Sequence, residues 1–176
     1  MTKNLDVEGL RSVLDNYELF FIDLWGVVHN GIELHENAIH TLSKITEAKK
    51  NYILLTNAPR PNKIVKFFLE KLGLGKSMRE NVFTSGEAAL VYLKKNYIDQ
   101  KFYHIGPPRD FDLFIDFKNK KTEEIDKSDY FLCTGLYDQQ DQDLNYYKEL
   151  LINFTSKKMI CTNPDLIVDR GKKREY

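Results

Sequence analysis

Short apolar runs alternate along this chain with segments of helical periodicity, and that alternation limits the fold more than any other feature. Residues 19–23 (LFFID) form an uninterrupted apolar run, the pattern of a strand covered on both faces. HENAIHTLSKITEAKKN follows, with Ala38, Leu42 and Ile45 at helical spacing and lysines late in the run. YILLTN reads as a second buried strand. After it Ile64, Phe67, Phe68 and Leu72 recur at helical spacing, and Gly73 sits where a helix ends. Parallel neighbours must be joined by a long crossover, usually a helix, so this β-α-β-α order predicts an α/β fold on a parallel sheet.

The pattern resumes beyond residue 80. Thr84 and Glu87 make a T-x-x-E capping box that predicts a helix start just after Thr84. FYHIG predicts a strand stopped by Pro107 and Pro108, and YFLCTGL predicts a further buried strand. Leu144, Tyr147, Leu151 and Phe154 mark a helix, and KMICTN a last strand. KNKKTEEIDKSD reads as a solvated loop or edge. The tail DRGKKREY carries neither a capped element nor an apolar strand. ILLTNAP and MICTNPD echo each other, as two buried strands that each end in a turn.

A length of 176 residues suits one domain, or one with a small companion. Twenty-six basic residues balance twenty-six acidic ones, so no global field points to nucleic acid or to an anionic membrane. MTKNLDVEGLRSV lacks the apolar core of a signal peptide, and no apolar run nears the roughly 20 residues that span a bilayer. A cytoplasmic protein is expected, with Cys133 and Cys161 as buried thiols inside apolar runs.

In open parallel sheets, ligands sit beyond the carboxyl ends of the strands. Asp23 ends the first predicted strand, and Thr56 and Asn57 end the second. On neighbouring strands, a carboxylate, a hydroxyl and an amide converge. Pro61 is placed as the first residue of the following helix, whose free N–H groups and dipole favour an anion such as phosphate. A carboxylate beside phosphate requires a cation, and hard, oxygen-loving Mg²⁺ suits both groups. The carboxylate can then attack phosphorus in line.

DLWGVVHNG, LLTNAPR, TSGEA and TNPD, in that order, resemble the motifs of the haloacid dehalogenase-like hydrolase superfamily. The likeness is to its capped subclass IIA, the branch of sugar-phosphate and nitrophenyl-phosphate phosphatases, and within it to a DLWGVxHxG subgroup. The resemblance implies a Rossmann-like core with an inserted α/β cap, residues 1–80 forming the first part of the core and 81–176 the cap. It implies hydrolysis of a small phosphate monoester, dependent on Mg²⁺, through an aspartyl-phosphate. Asp23 is then nucleophile and metal ligand, and the backbone carbonyl of Trp25 a second ligand. Thr56 grips the phosphoryl group with Asn57 beside it, and Gly26 supplies a tight turn. Arg60 contacts the phosphate or the cap, or is a solvated surface residue. Asn163 and Asp165 meet substrate at the seam or serve turn chemistry. A small phosphorylated metabolite is the implied partner, without nucleic acid or membrane, and a homo-oligomer is compatible with the sequence.

Two departures qualify the likeness. Trp25 stands where phosphatases of the superfamily carry a second Asp as general acid and base, and it transfers no proton. His29 is the candidate substitute, since imidazole titrates near neutrality, or else a loop histidine that merely packs. The superfamily's charge-balancing Lys and its further metal-binding acids follow the cap, and this sequence ends before them. The alternative expectation is therefore a truncated or catalytically impaired member that at most binds a phosphometabolite. Asp138, Asp141 and Asp143 lack the spacing of a calcium loop and read as a capping cluster before a helix.

Overall fold

The computed structural model describes residues 5–139, 143–165, 168–170 and 173–175. A single helical turn, α1 (Leu5–Glu8), precedes β1 (Leu19–Asp23). Then follow α2 (Glu36–Glu47), β2 (Asn51–Thr56), α3 (Asn62–Lys71) and β3 (Val82–Thr84). β1, β2 and β3 form a parallel sheet in chain order, with Phe21 opposite Ile53 and Leu55 opposite Phe83. The expected division after residue 80 cuts this sheet, because 82–84 pair within it.

Two crossovers moving the same way across a sheet put both helices on one face. Accordingly Leu42 and Ile45 of α2 and Val65 and Leu69 of α3 pack with Tyr52, Leu54 and Val82 into one apolar cluster. The stripe expected on α3 is corrected by this packing. Phe67 lies outside it, 54% exposed, while Val65 and Leu69 face the core. Pro61 is the residue before the first turn rather than its first member. The opposite face of the sheet is bare: Leu19 is 43% exposed, Phe21 65% and Phe83 42%. The expectation that LFFID is covered on both faces does not hold, and burial alternates along β1. Asp23 belongs to the open side.

α4 (Ser85–Asn96) leaves the first sheet and packs on the second, which comprises β4 (Phe102–Ile105), β5 (Tyr130–Cys133) and β6 (Lys158–Cys161). Again the strands are parallel and in chain order. Leu90 and Leu93 of α4 meet Phe102, Phe114, Tyr130 and Leu132 on one face. On the other, α5 (Leu144–Leu151) brings Tyr147 to Ile105 and Phe131. Asp143 caps α5 by accepting the Tyr146 N–H at 3.1 Å, whereas Asp138 pairs with Arg109. Asp141 lies outside the described residues.

Cys133 and Cys161 sit opposite each other on β5 and β6. Cys161 is exposed, against expectation, because β6 has no further strand at its side among the described residues. Burial, and then the neighbouring Cys161, push the Cys133 thiol up to about 12. The tail is corrected too: β7 (Val168–Arg170) and β8 (Lys173–Glu175) pair antiparallel. Backbone pairing of that kind needs no apolar run to announce it. No helix among the described residues is long and apolar enough to cross a membrane.

Candidate active site

Asp23 is the last residue of β1 and lies in register with Leu55 of β2. Thr56 and Asn57 are the next two residues along, at about 3.3 Å per residue. Parallel pairing therefore brings the three predicted groups to one end of one sheet. The carboxylate is exposed rather than buried, and its Oδ1 accepts the Leu24 N–H at 2.8 Å.

The segment after Asp23 folds back on itself. The Leu24 carbonyl accepts N–H groups from Val28 (2.8 Å) and His29 (3.1 Å), and Gly26 N–H donates to His29 O at 2.8 Å. Gly26 adopts φ 77°, the turn conformation expected of it. Leu24 and Val28 anchor the loop in the core. Trp25 lies across Gly31, where a Cβ would stand 2.7 Å from the indole Cη2. Its ring meets His29 edge-on at 5.3 Å, and His29 meets Phe68 at 5.4 Å.

His29 is 3% exposed, and its Nδ1 accepts the Gly31 N–H at 3.0 Å. Burial, reinforced by His35, lowers its pKa to about 4. The imidazole is thus neutral near pH 7, clamped between two rings with one nitrogen occupied. Enclosed in this way, the imidazole packs the loop between Trp25 and Phe68.

Thr56 Oγ1 accepts the Ala58 N–H at 3.2 Å, which leaves its hydroxyl proton available to an anion. The other predicted donors of this loop are engaged by carboxylates of the second unit. Asn57 Nδ2 donates to both carboxylate oxygens of Asp165, at 3.1 and 3.3 Å. Arg60 makes a two-pronged, partly buried ion pair with Asp112, its Nε lying 3.1 and 3.0 Å from the two oxygens. Asn163 Oδ1 accepts the Asp165 N–H at 3.1 Å and so shapes the turn that presents Asp165. The two echoing segments, TNAP and TNPD, thus meet across the seam. Asp112 gave no periodic or motif signal. Asp165 was signalled only by its place in a strand-end turn.

The hard oxygen donor exposed at this strand end is the Asp23 carboxylate, of the kind Mg²⁺ takes. Among the described residues no group of three or more His, Cys, Asp or Glu side chains could hold a metal. Mg²⁺ typically uses one or two carboxylates and completes its shell with water and substrate phosphate, so a single exposed carboxylate fits it in type.

A sequence profile described as haloacid dehalogenase-like hydrolase matches residues 20–117. The chain is 31% identical to a hydrolase of the haloacid dehalogenase-like family from Brucella suis, with a TM-score of 0.82. The match covers 99% of this chain and 64% of that one. It is also similar in fold to a 4-nitrophenylphosphatase from Thermotoga maritima, at 21% identity and a TM-score of 0.66, covering 92% of this chain and 60% of that one. A glycerol phosphate phosphatase from Mycobacterium tuberculosis, solved with calcium, matches at 20% identity and a TM-score of 0.64 over 92% of this chain and 47% of that one. This chain thus spans less than two thirds of the length of these relatives. No curated protein sequence matches it.

Proposed function

The chain belongs to the haloacid dehalogenase-like hydrolase family, and from that premise we propose that it acts on a small phosphate monoester at the tip of β1. The observation that carries this reading is the exposed carboxylate of Asp23, one strand away from and in step with the Thr56–Asn57 turn. Asp23 attacks phosphorus in line, the ester oxygen departs with its electron pair, and an aspartyl-phosphate forms. The Thr56 hydroxyl and loop N–H groups hold the phosphoryl oxygens. Asp23 and the Trp25 carbonyl would hold Mg²⁺, which supplies charge neutralisation between carboxylate and phosphate. Calcium in the mycobacterial relative is in keeping with a divalent cation there. The core then runs from β1 to Thr84 and the cap begins at Ser85. We place the protein in the cytoplasm, with no nucleic-acid or membrane partner.

Leaving-group protonation finds no donor in Trp25, and His29 is neutral and enclosed. Loss of a general acid typically costs about 10²–10⁴ in rate. That favours substrates with good leaving groups, and it supports a second reading, phosphometabolite binding with little turnover. Hydrolysis of 4-nitrophenyl phosphate with and without Mg²⁺ decides between them. Metal-dependent turnover that disappears in Asp23→Asn establishes the enzyme. Saturable phosphate binding without turnover leaves the binding reading, and neither result removes both.

A further inference from the structure

We propose that the junction Thr84–Glu87 is the positioning device of the phosphate-gripping loop, with Ser85 tying that loop to the second unit; this deepens the reading above and rests on it. The loop from Asn57 to Asn62 follows β2 and has no regular partner of its own. Four consecutive junction residues supply one. Thr84 Oγ1 donates to Arg60 O at 2.6 Å while accepting the Glu87 N–H at 2.9 Å. Thr84 N–H donates to Asn62 Oδ1, and Asn62 N–H donates to Glu87 Oε2, each at 2.9 Å. Gly86 N–H reaches Ala58 O at 3.2 Å.

The capping box read from the sequence is therefore only half internal. Thr84 caps its own helix, but the Glu87 carboxylate turns away and caps α3 instead. Sterics add a second constraint. A Cβ on Gly86 would stand 2.4 Å from Arg60 N and 2.6 Å from Arg60 O, so only glycine lets the loop lie this close.

Ser85 is the link to the second unit. Its hydroxyl lies 2.8 Å from Asn57 O and 3.1 Å from Ala58 O, and it also contacts Thr162 O at the end of β6. One hydroxyl proton serves three carbonyls, and it serves one at a time. Loop position and the seating of the TNPD turn thus depend on the same proton. Holding a loop in advance spares a ligand the entropic cost of ordering it. Misplacing reactive groups by about 1 Å can cost about 10²-fold.

The test titrates the whole chain with inorganic phosphate in Mg²⁺ and follows the amide signals of Thr56, Asn57, Ala58 and Arg60. Glu87→Ala is expected to weaken phosphate binding by about tenfold or more, whereas Glu87→Gln, which keeps an acceptor for Asn62 N–H, returns to within about threefold of wild type. Ser85→Ala should abolish the phosphate-induced shifts at Thr162 and Asn163 while the loop still responds. Should Gly86→Ala fail to fold, the Glu87 pair carries the test alone. Equal phosphate affinity in wild type and Glu87→Ala overturns the positioning role and spares the phosphate site. Wild type with no phosphate response at Thr56 and Asn57 overturns both.

Discussion

The two sheets of this molecule have the same plan and opposite fates. Each holds three parallel strands in chain order, and each ends a strand in Thr-Asn. The second is clad on both faces, by α4 with the 108–120 turns on one side and α5 on the other. The first is clad on one face and open on the side that carries Phe21, Phe83 and Asp23. Their polar groups divide the same way. In the second sheet His104 Nε2 bonds Thr134 Oγ1 at 2.9 Å, and both residues are buried. In the first, Asp23 is exposed at its strand tip, while Thr56 is half-buried and Asn57 is bonded to Asp165 across the seam. A parallel sheet keeps a reactive group available where a strand-end carboxylate stays exposed, and becomes scaffold where its strand-end groups satisfy one another.

The sharpest way to break this contrast is to remove one phenylalanine from each sheet. Phe131 is 2% exposed, and Phe131→Ala is expected to cost about 3–5 kcal/mol. Phe21 is 65% exposed, and Phe21→Ala should cost less than about 1 kcal/mol. Urea midpoints measure both, and the single tryptophan, Trp25, reports on the first sheet by fluorescence. A Phe21→Ala loss as large as that of Phe131→Ala would mean that another surface covers the open face in solution.

That pair of residues also marks what the sequence could and could not say. LFFID and YFLC look alike as apolar runs, and both are strands. Only YFLC is buried at successive positions, from Tyr130 to Leu132, because an apolar run records that a strand can be covered, not that it is. Strand and helix order, the end of α3 at Gly73 and the convergence of Asp23 with Thr56 were legible, since they follow from periodicity and from parallel pairing. The partners of Asn57, Arg60 and Glu87 were not. They are Asp165, Asp112 and Asn62, separated by 108, 52 and 25 residues, and no local pattern encodes such contacts. The enclosure of His29 was not legible either: sequence gives the intrinsic pKa of an imidazole, whereas the burial that lowers it comes from the folded loop and Phe68.

Acid provides the next comparison, because each unit buries one neutral imidazole. Burial, and then Lys121, lower His104 to about 4 against an opposing effect of Glu123, and His29 shifts in the same sense. The unfolded chain binds these protons near pH 6.5, whereas the folded one waits until about pH 4. Stability is therefore fully present above about pH 6.5 and falls as pH drops toward 4, by roughly 3 kcal/mol for a shift of this size. His104→Gln should flatten the dependence of urea stability on pH across that window. An unchanged slope would mean that His104 is protonated in the fold.

The smallest effect concerns the seam where the sheets meet. Arg60 and Asp112 are 31% and 21% exposed in their side chains, so water screens the pair and limits its worth to about 1 kcal/mol. A double-mutant cycle with Arg60→Met and Asp112→Asn isolates that coupling, and raising the salt from 0.05 to 1 M (Debye length from about 14 to about 3 Å) should shrink it only partly, since the pair is half-buried. The cycle bears on the division of labour as well as on stability. If Arg60 serves only the seam, Asp112→Asn leaves phosphate affinity unchanged. If the Asp112 carboxylate holds a guanidinium that phosphate would otherwise recruit, the same variant tightens phosphate binding while it loosens the fold. Opposite signs in the two measurements would assign Arg60 to the first sheet's chemistry, and a loss of stability with phosphate affinity unchanged would assign it to the architecture that joins the sheets.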